Sequence, residues 1–120
     1  MTIKIPGLDA QKGLELYDDD EDIYLTVLRS YVHNIPDSLE VLRNVSAETL
    51  QDYYIKAHGL KGTSANIGAE DVRQLALKLE TMAKSGDLNG VLAENETLIK
   101  LAEELIGNIK KWLDENDAKT

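Results

Sequence analysis

Four stretches of helical periodicity, few helix breakers and no convincing strand pattern predict an all-α chain. The expected architecture is an antiparallel four-helix bundle with a short extra N-terminal helix. Apolar residues recur at three- and four-residue spacing from Ile23 to Val45, Leu50 to Ile67, Val72 to Ala83 and Leu88 to Trp112. Only two prolines and eight glycines occur in 120 residues. The connections are short, so consecutive helices should pack antiparallel. This length suits one domain with one core, taken as residues 1–120 with an extended lead-in over 1–8 and a polar, frayed tail over 114–120.

In the lead-in, Ile3 and Ile5 alternate with polar positions and Pro6-Gly7 closes the pattern as a turn. Asp9 is the expected N-cap of a short helix holding Leu14 and Leu16. The run Asp18-Asp19-Asp20-Glu21-Asp22 reads as acids gathered at a helix N-terminus, where they complement the dipole. It lacks the Gly-containing spacing and distal Glu of a calcium loop. From Ile23 the apolar positions 23, 24, 27, 28, 31, 32 and 35 follow a helical period, and Pro36 should break or kink it. Leu39, Val41, Leu42 and Val45 continue the helix. His33 has no ligand or base beside it and reads as a surface or cap residue.

Ser46 is expected to open the next helix as a simple cap, because Thr49 stands where a capping box needs Glu or Gln. Leu50, Tyr53, Ala57, Leu60, Ser64 and Ile67 form its core face. Gly68 is a natural left-handed stop. Glu70 and Asp71 place acids in the first turn of the following helix, whose core stripe is Val72, Leu75, Ala76, Leu79, Met82 and Ala83. Ser85-Gly86-Asp87 ends it. The last helix is expected from about Leu88 to about Leu113, with Leu88, Val91, Leu92, Leu98, Ala102, Leu105, Ile109 and Trp112 on one face. Glu94, Glu96, Glu103 and Glu104 occupy its polar positions, as suits a core helix rather than one lying on a membrane.

Composition excludes several function classes. The net charge of -9 opposes nucleic-acid binding and anionic membranes, since both rest on Lys and Arg at phosphates. The chain has no cysteine, which removes disulfides and thiolate metal sites. No apolar run approaches the roughly 18 residues of a membrane span, and the N-terminus is too short in apolar residues for a signal peptide. A cytoplasmic protein or domain, acting as a monomer, is expected.

The chemistry concentrates in Ala57-His58-Gly59-Leu60-Lys61-Gly62-Thr63-Ser64-Ala65-Asn66-Ile67-Gly68. Its apolar pattern is helical, yet each of two interior glycines costs a helix roughly 1 kcal/mol relative to alanine. With Ala57 at the centre of the core stripe, His58 falls at about 100° on the helical wheel, Lys61 at about 40°, Tyr54 at about 60°, Ala65 at about 80° and Gly62 at about 140°. His58 therefore sits on the flank of the core with its imidazole able to reach solvent. Lys61, one turn on, lies within side-chain reach at i+3. Gly62 removes bulk where a partner would approach, and Gly59 faces away from this patch. A metal site at His58 lacks a second ligand at i+3 or i+4. A Ser-His triad is also unsupported: Ser64 lies on the core side and no acid is placed to orient the ring.

This stretch resembles the signature of histidine-containing phosphotransfer (HPt) domains: His, two variable positions, Lys-Gly, two small residues, two more positions, an aliphatic residue and Gly. His58, Lys61, Gly62, Thr63, Ser64, Ile67 and Gly68 fit it. The Ile5-Pro6-Gly7-Leu8-Asp9 opening, Leu79-Glu80 and Ser85-Gly86-Asp87-Leu88 also look family-like. The resemblance implies a four-helix bundle in which His58 is phosphorylated from a receiver-domain aspartate and passes the group to another receiver. Lys61 and Gly62 would support the phosphohistidine and docking. Mg2+ would sit on the receiver, so this chain would need no cofactor. The partners implied are receivers of response regulators or hybrid histidine kinases.

On the helix after the motif, the resemblance puts Glu80 near the site, where an acid would repel phosphate. Arg73, Leu77 and Glu80 share a flank outside the core stripe, and with Tyr54 and Ala65 they are the expected partner-docking residues. Kinase dimerisation helices also carry a phosphorylated His, but with Glu next and Arg-Thr-Pro beyond; Gly59 and Leu60 do not fit. No Gly-rich nucleotide box is present, so the chain is expected not to be an enzyme that phosphorylates itself from ATP. The alternative is a non-catalytic HPt-like module that binds a receiver or other signalling partner.

Overall fold

The computed structural model describes residues 3–117, and these form five helices and no strand. They are α1 (Ala10–Glu15), α2 (Glu21–Arg43), α3 (Leu50–Ala65), α4 (Glu70–Lys84) and α5 (Leu88–Asp117). Among the long helices, α3 packs on α2 and α4, and α5 packs on α4 and α2, which closes an antiparallel four-helix ring. No helix among the described residues is long and apolar enough to cross a membrane. Met1 and Thr2 of the lead-in, and 118–120 of the tail, lie outside the described residues.

Local sequence explains most boundaries. Asp9 caps α1 by accepting the Lys12 N–H at 3.1 Å. Asp20 caps α2 by accepting from Ile23, with Glu21 and Asp22 in the first turn. Ile3 and Ile5 are buried, and the Asn108 amide of α5 donates to the Pro6 carbonyl, which ties the lead-in to the bundle.

Five details differ from the sequence reading. Helix α2 runs unbroken through Pro36. Buried Ile35 and Leu39 hold it on either side, while Pro36 itself is exposed, so packing outweighs the lost hydrogen bond. Ser46 does not cap α3: the helix begins at Leu50, and the Thr49 hydroxyl reaches back to accept from the Ser46 N–H. Leu16 and Ile23 are exposed rather than packed inward. On α5, Leu92 is 54% exposed and Asn95 is buried in the core. Asn95 accepts from the Tyr53 hydroxyl and donates to the Leu42 carbonyl, so three helices share one satisfied polar contact. Finally, α5 continues past Leu113 to Asp117, with Ile99, Ile106 and Leu113 among its buried residues.

The end of α3 is fixed with particular care. The Ala69 N–H bonds the Ser64 carbonyl and the Gly68 N–H bonds the Ala65 carbonyl, a Schellman arrangement with Gly68 at φ +78°. Tyr17 and Tyr24 donate their hydroxyls to the Asn66 and Ile67 carbonyls of this turn. Tyr31 Oη lies 2.9 Å from Ser64 Oγ, and burial pushes the Tyr31 phenol up to about 12. Thus α2 grips the C-terminal half of α3, and the helix face carrying His58 is held against α4.

Candidate functional site

Helices α3 and α4 form an antiparallel hairpin through the turn at 66–69. Ala57 on α3 and Ala76 and Ala83 on α4 are small and buried in the core of the bundle. On the flank of this hairpin lies Glu80, only 8% exposed. Its Oε1 is 2.8 Å from His58 Nδ1 and its Oε2 is 2.8 Å from Lys61 Nζ.

This geometry corrects two expectations. An acid is placed to orient the imidazole, and it comes from α4 rather than from α3. Glu80 is also not an exposed docking residue: it is buried and committed to His58 and Lys61. Lys61 in turn faces the carboxylate, with its side chain 25% exposed. Burial pushes the Glu80 carboxyl up, but hydrogen bonds and charge from Lys61 and His58 outweigh this and hold it below the usual glutamate value. The group is therefore a carboxylate at neutral pH.

A carboxylate only accepts hydrogen bonds, so His58 Nδ1 must carry a proton and donate. In the neutral ring the other nitrogen, Nε2, is then unprotonated and points away from Glu80. The His58 side chain is 62% exposed, so the edge of the ring away from Glu80 is open to solvent. The half-buried Tyr54 ring stands beside it, with centroids 6.3 Å apart and planes tilted by 30°.

The other expected site residues divide by position. A Cβ built on Gly62 would meet nothing within 4 Å, so the space beside His58 is open. Ala65 is exposed on the same helix, two turns further on. On α4, Leu77 is 40% exposed, an apolar residue off the core. Arg73 is bound by its own helix: the guanidinium bonds both carboxylate oxygens of Glu70. With His58 opposite Glu80, the antiparallel register places Ala65 and Arg73 about 10 Å away toward the turn, outside the reacting centre. Ser64 is buried against Tyr31, which removes it as a nucleophile. His33 is exposed, as expected. Among the described residues no group of three or more His, Asp or Glu is placed to hold a metal ion.

Comparison with known proteins agrees with this geometry. The family model described as Hpt domain matches residues 26–115. The phosphorelay intermediate protein rdeA of Dictyostelium discoideum is 29% identical over 101 residues, covering 81% of this chain. The matched region is 40% of that relative's length, so the chain spans less than half of it. No solved structure matches. With the family model spanning most of the chain, and an all-helical bundle presenting an exposed histidine beside Lys-Gly, the chain belongs to the Hpt domain family.

Proposed function

We propose that this chain is a phosphorelay carrier: His58 accepts a phosphoryl group from an aspartate of one receiver domain and yields it to an aspartate of another. The observation that carries this reading is the His58–Glu80 hydrogen bond at 2.8 Å, which fixes the proton on Nδ1 and leaves Nε2 outward. The Nε2 lone pair attacks phosphorus, the N–P bond forms, and the P–O bond to the donor aspartate breaks to release its carboxylate. Positive charge grows on the ring as this happens, and the Glu80 carboxylate at Nδ1 offsets it. Lys61 helps keep Glu80 ionised and, one turn from His58 on the same helix, can share the new phosphoryl charge. Return transfer reverses each step.

Phosphoryl transfer rests mainly on positioning and charge stabilisation, and the receiver contributes its own acceptor and Mg2+. This chain then needs only to present one oriented nucleophile. The printed description of the rdeA relative, a phosphorelay intermediate, supports the same role.

The test is label transfer. Incubation with a 32P-phosphorylated receiver is expected to give acid-labile, alkali-stable label on this chain, and His58→Gln is expected to abolish it. His58 is exposed and glutamine keeps an N–H donor for the buried Glu80 carboxylate, so the thermal midpoint should change little. Label retained in His58→Gln overturns the assignment. Receiver binding without any label transfer would leave a non-catalytic binding module instead.

A further inference from the structure

Isoleucine is among the residue types most often buried, yet Ile55 is 56% exposed. It lies one turn before His58. Ile55, Gly59, Gly62 and Asn66 form one row along the outward face of α3, at i, i+4, i+7 and i+11. A Cβ added at either glycine would meet nothing within 4 Å, so no other part of the described chain covers the row there.

The charge pattern points to what covers it. The chain carries 22 acidic residues and a net charge of -9, but none of those acids lies between Tyr53 and Ala69. Glu80, the carboxylate that reaches this flank from α4, is buried and matched to Lys61 and His58. A strongly acidic protein thus keeps α3 free of acids from Tyr53 onward, with one large apolar side chain, Ile55, near the start of that stretch and the exposed Asp52 one turn before it at the border.

We propose that Ile55 is the apolar anchor on which the receiver domain docks. This rests on the phosphorelay reading of His58 given above. A partner that accepts phosphoryl on an aspartate and holds Mg2+ brings several carboxylates to the point of contact. A face whose one acid, Asp52, stands at its edge beyond Ile55, and which carries Lys56 and Lys61, receives it with little like-charge repulsion. The bare glycine row lets its backbone come close, and Ile55 supplies the desolvated apolar contact on which interfaces concentrate their affinity. Ile55 touches the partner and not the reacting atoms, so it governs receiver binding and leaves the chemical step unchanged.

The experiment measures transfer from receivers encoded by the same genome, each phosphorylated with acetyl phosphate, to wild type, Ile55→Ala and Ile55→Asp. Direct labelling of His58 by phosphoramidate is followed in parallel. The KM for the receiver is expected to rise about fivefold in Ile55→Ala and more than about tenfold in Ile55→Asp. The kcat, the phosphoramidate rate and the thermal midpoint are expected to stay at wild-type values. An unchanged KM in both variants, with normal wild-type transfer, overturns the anchor alone. A matching slowdown with phosphoramidate also overturns it, because the effect would then lie at the ring. Wild type that phosphoramidate labels but no receiver does overturns the carrier reading and the anchor together.

Discussion

Gly62→Glu is expected to fold normally and to lose receiver-dependent labelling of His58 by about 100-fold or more. Nothing lies within 4 Å of the added Cβ, so the bundle has room for the side chain. Glutamate is also the better helix former by roughly 0.5 kcal/mol, so thermal stability should hold or rise slightly. The loss comes from the surface. On the proposed relay role, a side chain one turn from His58 would stand where a receiver brings its phosphoryl group into line, and its carboxylate would meet the receiver's carboxylates. Labelling by phosphoramidate, a small donor, should be much less affected. Transfer at the wild-type rate would remove Gly62 from the docking surface.

Gly68→Ala is expected to lower stability by about 2–3 kcal/mol or more, through the left-handed backbone and steric overlap. The residue has φ +78°, and an added Cβ would lie 2.3 Å from the Asp9 carbonyl oxygen. Gly68 also accepts the Asp9 N–H at 2.9 Å, so the turn after α3 and the start of α1 share one close contact. For a domain of this size the midpoint should fall by about 10 °C. Circular-dichroism melts check this; an unchanged midpoint would mean that the contact relaxes without cost. In the folded fraction, His58 labelling should survive, since Gly68 lies ten residues beyond His58.

The two glycines show what a sequence can and cannot tell. Gly68 follows an apolar stripe and precedes two acids, a local pattern that announces a helix stop. The long helices were legible for the same reason: of the stripe Val72, Leu75, Ala76, Leu79, Met82 and Ala83, four are buried and Leu75 and Met82 are half-buried against the core. His58 was legible because its neighbours Lys61 and Gly62 stand at helical spacing in one stretch. Long-range compensation was not. Pro36 reads as a break or kink; α2 is not broken there, and buried Ile35 and Leu39 lie on both sides of it. Leu92 and Asn95 both fall near the edge of the core stripe, and their exchange depends on Tyr53 and Leu42 of two other helices.

Glu80 was hidden in the same way. It is 22 residues from His58, and on its own helix it reads as one more acid on a flank. Its spacing offered a signal: four after Ala76 and three before Ala83, it shares the side of α4 that carries these buried small residues. A carboxylate there is driven either to solvent or to a partner, and Lys61 and His58 provide the partners. The acid that seemed to oppose phosphate is the group that orients the ring.

That orientation can be measured directly. Phosphorylation of the 15N-histidine-labelled chain by a receiver, followed by long-range 1H–15N correlation spectra, identifies the nitrogen bonded to phosphorus. Phosphorus on Nε2 of His58, with Nδ1 still protonated, is the expected result. Phosphorus on Nδ1, or a chain that transfers phosphate with the His58 ring unmodified, would contradict it.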